Sequence, residues 1–337
     1  MTYISITLNH MRAVKAWADS CGASANLDLR TFNLEVKTRN RYYTLKPRFL
    51  VDTDGKMAYS TRLVKDVTGF IGWLPYDVLQ WALSLDKLLF KTFLEKAGFR
   101  SPATWASEAE VNHPFLVKQS SGSFGYRIGG PYRNAGEVKP FLEPGGPNPA
   151  AGQYFAEQFV VGTNLKVWFW GAKAVYAHVH PYPTIVGDGV STVQSLLEAR
   201  FVRLGRQAGD QPDSANILSS LAFQQVELGD IPKAGQELWF DFRYGRQYAP
   251  ASSSNETDSD LDKIKPAVMA QVEALGVKLG EECLGRFKAP VLYSVDAVVD
   301  DAGDVWWLEV NSNPVLPPDA YPAVFRSLFG ALEGDPK

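Results

Sequence analysis

Tyr293-Ser-Val-Asp-Ala-Val-Val-Asp300 and Val305-Trp-Trp-Leu-Glu-Val-Asn311 flank the short stretch Asp301-Ala-Gly-Asp304. Both flanks are rich in β-branched and aromatic residues and the link is rich in turn formers, so the segment reads as a β-hairpin. If Asp300 pairs with Val305, the same register sets Asp296 opposite Glu309. Side chains alternate along a strand, so Asn311 shares the face of Glu309. Like charges directly opposite destabilise a hairpin. A divalent cation between them reverses that penalty, and oxygen-only ligands suit Mg²⁺, or Mn²⁺ as a substitute, with phosphate oxygens and waters completing the shell. A solvated acidic face, with its charges held apart, is the alternative reading.

Working outward, the chain of 337 residues suggests two or three domains. Hydrophobic residues make up 45% and charged residues 21%, as in globular proteins with a real core. Lys plus Arg number 34 and Asp plus Glu 37, a net charge of −3, which argues against a dedicated nucleic-acid binder. The nine tryptophans then read as core and pocket walls. Two distant cysteines, Cys21 and Cys283, make no disulfide framework and point to a reducing, cytoplasmic setting. Met1 to Trp17 lacks the apolar region of a signal peptide, and no apolar run is long enough for a membrane-spanning helix.

The first 80 or so residues read as a small mixed domain with a hairpin turn at Asp54-Gly55. A helix follows, with Ser84 as N-cap, Leu85, Leu88, Leu89 and Phe93 on one face, Gly98 as its stop and Pro102 beyond. Pro114 to Lys118 is a buried-strand pattern that runs into the Gly/Ser loop Gln119 to Gly125. Glu143 to Gly152 reads as a linker or loop. Strands are expected at Tyr154 to Val161, and at Leu165 to Trp170 and Lys173 to Val179 around Gly171-Ala172. Helices are expected over Thr192 to Gly205 and Asp262 to Cys283, with a loop at Ala249 to Asp260. This mixed order argues for α+β domains rather than one doubly wound sheet.

Backbone N–H groups of a small-residue loop cradle phosphate oxygens, and Lys118 beside it adds charge. Lys87 lies in the first turn of its helix, where a cation opposes the dipole; a bound anion would explain it. Each lysine alone also reads as an ordinary surface ammonium. Neither G-x-x-x-x-G-K-[ST] nor G-x-G-x-x-G occurs, so P-loop and Rossmann sites have no support.

Four elements stand in order: Ser84-Leu-Asp-Lys87; Phe115-Leu-Val-Lys118 with Ser120-Ser-Gly-Ser-Phe-Gly125; Ala156-Glu-Gln-Phe-Val-Val-Gly162; and Val295-Asp296 with Leu308-Glu-Val-Asn-Ser-Asn-Pro314. As a set, over about residues 82–330, they resemble the ATP-grasp superfamily of carboxylate–amine ligases. Thr184-Ile-Val-Gly-Asp-Gly-Val-Ser-Thr-Val-Gln-Ser-Leu-Leu197 is similar to the equivalent stretch of cyanophycin synthetase and of the ligase module of bifunctional glutathione synthetases; D-alanine–D-alanine ligases are more distant.

The resemblance implies an ATP-grasp fold of two α+β subdomains gripping the nucleotide, after a small N-terminal α/β domain. The divisions are 1–81 (N-terminal), 82–155 (central, lid) and 156–337 (C-terminal, metal site). It implies that ATP phosphorylates a substrate carboxylate and that an amine, of an amino acid or peptide, attacks the acyl phosphate, giving an amide, ADP and phosphate. Lys87 and Lys118 would contact the phosphates, Lys118 also lying near the adenine. Ser120, Ser121, Gly122, Ser123 and Gly125 would fold over the phosphates. Glu157, Gln158, Phe159 and Val160 would form the hinge strand along the adenine edge, and Asp296, Glu309 and Asn311 would hold Mg²⁺. The implied partners are small-molecule carboxylate and amine substrates, with no nucleic acid and no membrane, and a homodimer is one option for the N-terminal domain.

Three positions depart from the family pattern. Asn164 stands where an acidic residue usually holds the ribose hydroxyls. Lys166 stands where relatives often carry arginine near the transferred phosphate. Ser294 replaces the arginine that D-alanine–D-alanine ligases carry two residues before the metal-binding aspartate. Arg243, then Arg246, are the expected sources of the cation that steadies the tetrahedral intermediate. Asn164 and Ser294 give weight to a rival class, a non-catalytic or regulatory nucleotide-binding protein of the same fold, while the intact set Asp296, Glu309 and Asn311 argues against it; a ligase acting on a ribosomal peptide or carrier-bound acid is a further alternative. His178 and His180 share a strand face and read as pocket residues or the start of a zinc site. Arg200, Arg203 and Arg206 read as a solvated helix face or a carboxylate clamp.

Overall fold

The structure, a computed structural model, describes residues 2–53, 56–107, 111–120, 128–138, 154–204, 214–243 and 259–332. Helix α1 (Thr2–Ser20) is followed by strands β1 (Ser24–Leu27), β2 (Leu34–Lys37), β3 (Tyr42–Thr53), β4 (Lys56–Ser60) and β5 (Val67–Leu74). They form one sheet in the order β1-β2-β3-β4, with β5 also beside β3. Every pairing is antiparallel. The expected N-terminal α/β domain thus has its helix and its sheet, with antiparallel strands because short connections join neighbours. Thr53 pairs with Lys56, as the expected hairpin requires; Asp54 and Gly55 themselves lie outside the described residues. Val14, Trp17, Leu34, Val36, Phe49 and Phe70 build the core here, but Trp168, Tyr321, Phe325 and Phe329 belong to the same cluster.

The next elements are α2 (Ala82–Leu85), α3 (Lys87–Lys96), β6 (Thr104–Trp105), β7 (Phe115–Gln119), β8 (Gly129–Tyr132) and β9 (Tyr154–Gln158). The N-cap of α3 is Asp86, not Ser84. The Asp86 carboxylate accepts from Leu88 N at 2.8 Å and Leu89 N at 3.3 Å, as an N-cap oxygen should. The Ser84 hydroxyl is spent on Trp81 O and Ser312 Oγ. Gly98, at φ +76°, follows the end of α3. The strands pair as β6-β9-β7-β8. The expected 143–152 linker, and Ser121, Gly122, Ser123 and Gly125 of the small-residue loop, lie outside the described residues, as do Arg206 and Arg246.

The remainder comprises β10 (Thr163–Trp170), β11 (Lys173–His180), β12 (Thr184–Val186), α4 (Val193–Arg203), α5 (Ser214–Phe223), β13 (Glu237–Trp239), α6 (Pro266–Phe287), β14 (Leu292–Val299), β15 (Val305–Asn311) and α7 (Tyr321–Phe329). Four of these strands form the antiparallel sheet β11-β10-β14-β15. Leu165, Val167, Phe169, Tyr293 and Val295 turn to α6, meeting Val268, Val272, Leu275 and Leu279. Alternation therefore sends Asn164, Lys166, Trp168, Ser294 and Asp296 to the other face. Helix α6 starts at Pro266, later than the expected Asp262, because proline suits the first helical position and a 3₁₀ turn precedes it. The pair β12-β13 and helices α4 and α5 enclose a separate apolar cluster. The fold is α+β. Among the described residues, no helix is long and apolar enough to cross a membrane.

Candidate active site

In the β14–β15 hairpin Asp296 does pair with Glu309, and Ser294 pairs with Asn311. The route to that register differs from the expected one. Next to the turn, Val299 rather than Asp300 pairs with Val305, and a bulge at Leu308 inserts the missing residue. Trp307 points into the core against α6. Strict alternation would send Glu309 the same way; the bulge turns it to the opposite face. Hence Asp296, Glu309 and Asn311 all line one cavity of about 710 Å³.

Cations surround these carboxylates. Lys166, directly opposite Asp296 on β10, donates from Nζ to both carboxylate oxygens at 2.7 and 2.9 Å. Asn311 Nδ2 donates to Asp296 Oδ2 at 2.8 Å. Lys87 Nζ stands 3.3 Å from Glu309 Oε2. Burial pushes the Asp296 carboxyl above its usual range despite Lys166, and the Glu309 charge adds to the rise. The pair thus has one lysine beside each carboxylate. Its donors are two carboxylates and one carboxamide oxygen, a set that fits Mg²⁺. Among the described residues no three His, Cys, Asp or Glu side chains converge as a metal group, so His178 and His180 gain no third ligand. His178 instead shares a hydrogen bond with Tyr176 Oη at 2.7 Å.

A second charged knot lies where β7 meets β9. Glu157 is 1% exposed and takes Lys118 on one oxygen and Lys91 on the other, the latter at 2.7 Å. Burial raises the Glu157 carboxyl, but Lys118 and Lys91 outweigh it and leave it below the usual range. Burial lowers the Lys91 ammonium despite Glu157. Sequence reading missed Lys91. Its signal was available: it sits one helical turn after Lys87, on α3. Lys87 N donates to Ser120 O at 2.8 Å, which ties the start of α3 to the end of β7.

Lys87, Lys118, Glu157 to Val160, Asn164, Lys166 and Arg243 line the same cavity. The N–H groups of Gln158 and Phe159 already donate to Ala103 O and Pro114 O. An adenine edge would therefore be read by other groups of that strand. Asn164 Nδ2 donates to Phe242 O at 2.9 Å, so a ribose hydroxyl would meet its carbonyl oxygen. That bond fixes the segment carrying Arg243, whose guanidinium is gripped by the buried Asp241 at 3.1 and 2.8 Å. Ser294 is fully buried and its hydroxyl has no partner among the described residues.

No family model matches this chain, and no curated protein does. Several solved structures are similar. One is a bifunctional glutathione synthetase from Pasteurella multocida, 14% identical over 87% of this chain and 38% of that one, with a TM-score of 0.37. Another is a D-alanine–D-alanine ligase from Bacillus anthracis complexed with ATP, 14% identical over 74% of this chain and 63% of that one, with a TM-score of 0.36. A third is a D-Ala:D-Ser ligase from Enterococcus faecalis, 13% identical over 75% and 60%, with a TM-score of 0.38. The chain spans 38% to 63% of the length of these proteins.

Asn313 was also missed. Its side chain accepts from Arg48 Nη1 and Leu79 N and donates to Leu79 O, all at 3.0 Å. The stretch after Glu309 thus clamps the hairpin: Asn311 holds Asp296, Ser312 holds Ser84, and Asn313 holds the N-terminal sheet through the buried Arg48.

Proposed function

We propose that this protein is an ATP-dependent carboxylate–amine ligase of the ATP-grasp kind. The observation that carries the reading is the meeting of Lys87, Lys118, Lys166 and Arg243 with the opposed pair Asp296 and Glu309 in one cavity. Four cations suit three phosphates and a carboxylate better than any neutral ligand. Phosphoryl transfer rests mainly on positioning and charge neutralisation, which such a cluster supplies. Asp296, Glu309 and Asn311 would hold Mg²⁺, which when bound adds to that neutralisation.

In this reading a carboxylate oxygen attacks the γ-phosphorus of ATP, the bond to ADP breaks, and an acyl phosphate forms. An amine nitrogen then attacks the acyl carbon. The C–N bond forms, the C–O bond to phosphate breaks, and the amine releases a proton, leaving amide, ADP and phosphate. Lys166 and Arg243 are the catalytic candidates, since both line the cavity, Lys166 against Asp296. A regulatory nucleotide-binding protein is the second reading; it is favoured by the uncharged Ser294 where related ligases carry a cation. Phosphate release from Mg-ATP, measured against paired acids and amines, separates the two. Glu309→Ala should abolish turnover and keep the circular dichroism of the wild type; unchanged turnover would remove Glu309 from the site.

A further inference from the structure

The cavity continues past the charged cluster. Along the site face, β10 presents Asn164, Lys166 and then Trp168. The Lys166 ammonium lies 5.6 Å from the centroid of the Trp168 ring. Tyr176 and His178 meet that ring edge-on at 5.2 and 5.3 Å. The indole N–H is satisfied by Val315 O at 2.8 Å, so Trp168 offers the cavity an apolar surface. Beyond it the wall passes to the N-terminal sheet, where Leu50 pairs with both Tyr59 and Gly69 and all three reach the cavity. Burial raises the Tyr59 phenol, the mark of a dry setting.

Charge is distributed unevenly along this space. The lining carboxylates among the described residues are Glu157, Asp296 and Glu309, and each carries a lysine. None of the lining residues contributed by 1–81 is charged, and burial there holds His10 neutral. A charged side chain placed in that compartment would lose water without gaining a counter-ion, which is costly. We infer that the compartment seats the uncharged body of the carboxylate substrate, an alkyl or aryl chain rather than a charged one, its carboxylate lying toward Lys166 and Arg243. This rests on the ligase reading above.

Gly69 supplies the test. Its backbone is one that any residue adopts, and an added Cβ meets only Leu50 Cβ, at 3.6 Å. A larger side chain would therefore fill the compartment from its wall. The full chain would be assayed with Mg-ATP and hydroxylamine, which traps any acyl phosphate as a hydroxamate whatever the natural amine. Propanoate, octanoate and 3-phenylpropanoate would be set against octanedioate and 8-aminooctanoate, which carry a charge at the far end of the chain. Octanoate or 3-phenylpropanoate should exceed the two charged-chain acids in kcat/KM by about tenfold or more. Gly69→Leu should lower the octanoate value by about tenfold and leave propanoate and ATP affinity within about twofold. Equal or better turnover of the charged-chain acids overturns the inference, as does a Gly69→Leu loss that is uniform across all acids. If no acid yields hydroxamate, the ligase reading fails and calorimetry with octanoate decides the compartment. Binding that Gly69→Leu abolishes upholds it, and absence of binding overturns it.

Discussion

Single residues decide the electrostatics of this cavity. Glu157 is stable as a buried anion only because two ammonium groups meet it, and Lys91, with its charge almost fully buried, has no role on the surface. Lys91→Met should destabilise the fold by about 3 kcal/mol in urea unfolding, since it strips a buried charge of a partner. The double variant Lys91→Met/Glu157→Gln should not regain that loss, because the buried Lys118 then loses its carboxylate; a double-mutant cycle reads the coupling directly. Arg243 is held by Asp241 but ends in the cavity. Arg243→Ala should lower kcat by about a hundredfold or more while the dissociation constant of ATP changes little. Preserved turnover would pass the role to another cation.

At the scale of elements, the bulge in β15 is what makes a site of the hairpin. A one-residue slip in register exchanges the two faces of a strand. Trp307 and Glu309 are two apart, yet one is core and the other lines the cavity. The opposite face of the same sheet depends on close approach. Helix α6 passes over the β10–β11 turn at Gly276 and Gly280, where an added Cβ at Gly280 would lie 2.6–2.8 Å from Ala172 Cβ, Cα and N. Gly280→Ala should therefore cost about 1–3 kcal/mol, against the usual gain of alanine in a helix. Gly285→Ala, in the same helix with nothing within 4 Å, should stabilise by about 0.5–1 kcal/mol. Urea unfolding of the two variants separates packing from helix propensity.

At the scale of the molecule, the two ends of the chain share one core. Trp17 of α1 packs with its ring centroid 4.4 Å from that of Phe325 of α7, and His10 Nδ1 meets Tyr321 Oη at 3.0 Å. That joint carries a pH dependence. Unfolded, the His10 imidazole takes a proton near pH 6.5; folded, burial holds its pKa down to about 3. Between those values the unfolded chain binds more protons, so stability falls as pH drops below about 6.5. The loss should reach about 2 kcal/mol at pH 5. His10→Gln should flatten the stability profile between pH 4 and 6.5 in urea unfolding; an unchanged slope would show that His10 does not cause it.

Local chemistry alone determined much of this protein. Strand alternation, turn residues and a lysine at a helix start are short-range signals, and they place Lys87, Lys118, Asp296, Glu309 and Asn311 on named elements. The N-cap was misread because Ser84 and Asp86 are both capping residues, and only the packing of Ser84 on Ser312 assigns the hydroxyl elsewhere. Tertiary structure alone decided the rest. The bulge at Leu308 puts Trp307 in the core and Glu309 in the cavity, and no local pattern announces it. Lys91 joins Glu157 only because α3, packed against β15, brings it beside the β7–β9 pair. The apolar end of the cavity exists only where the N-terminal sheet meets Trp168. Such contacts join residues far apart in the chain, so they follow from the packing of whole elements and leave no periodicity to read.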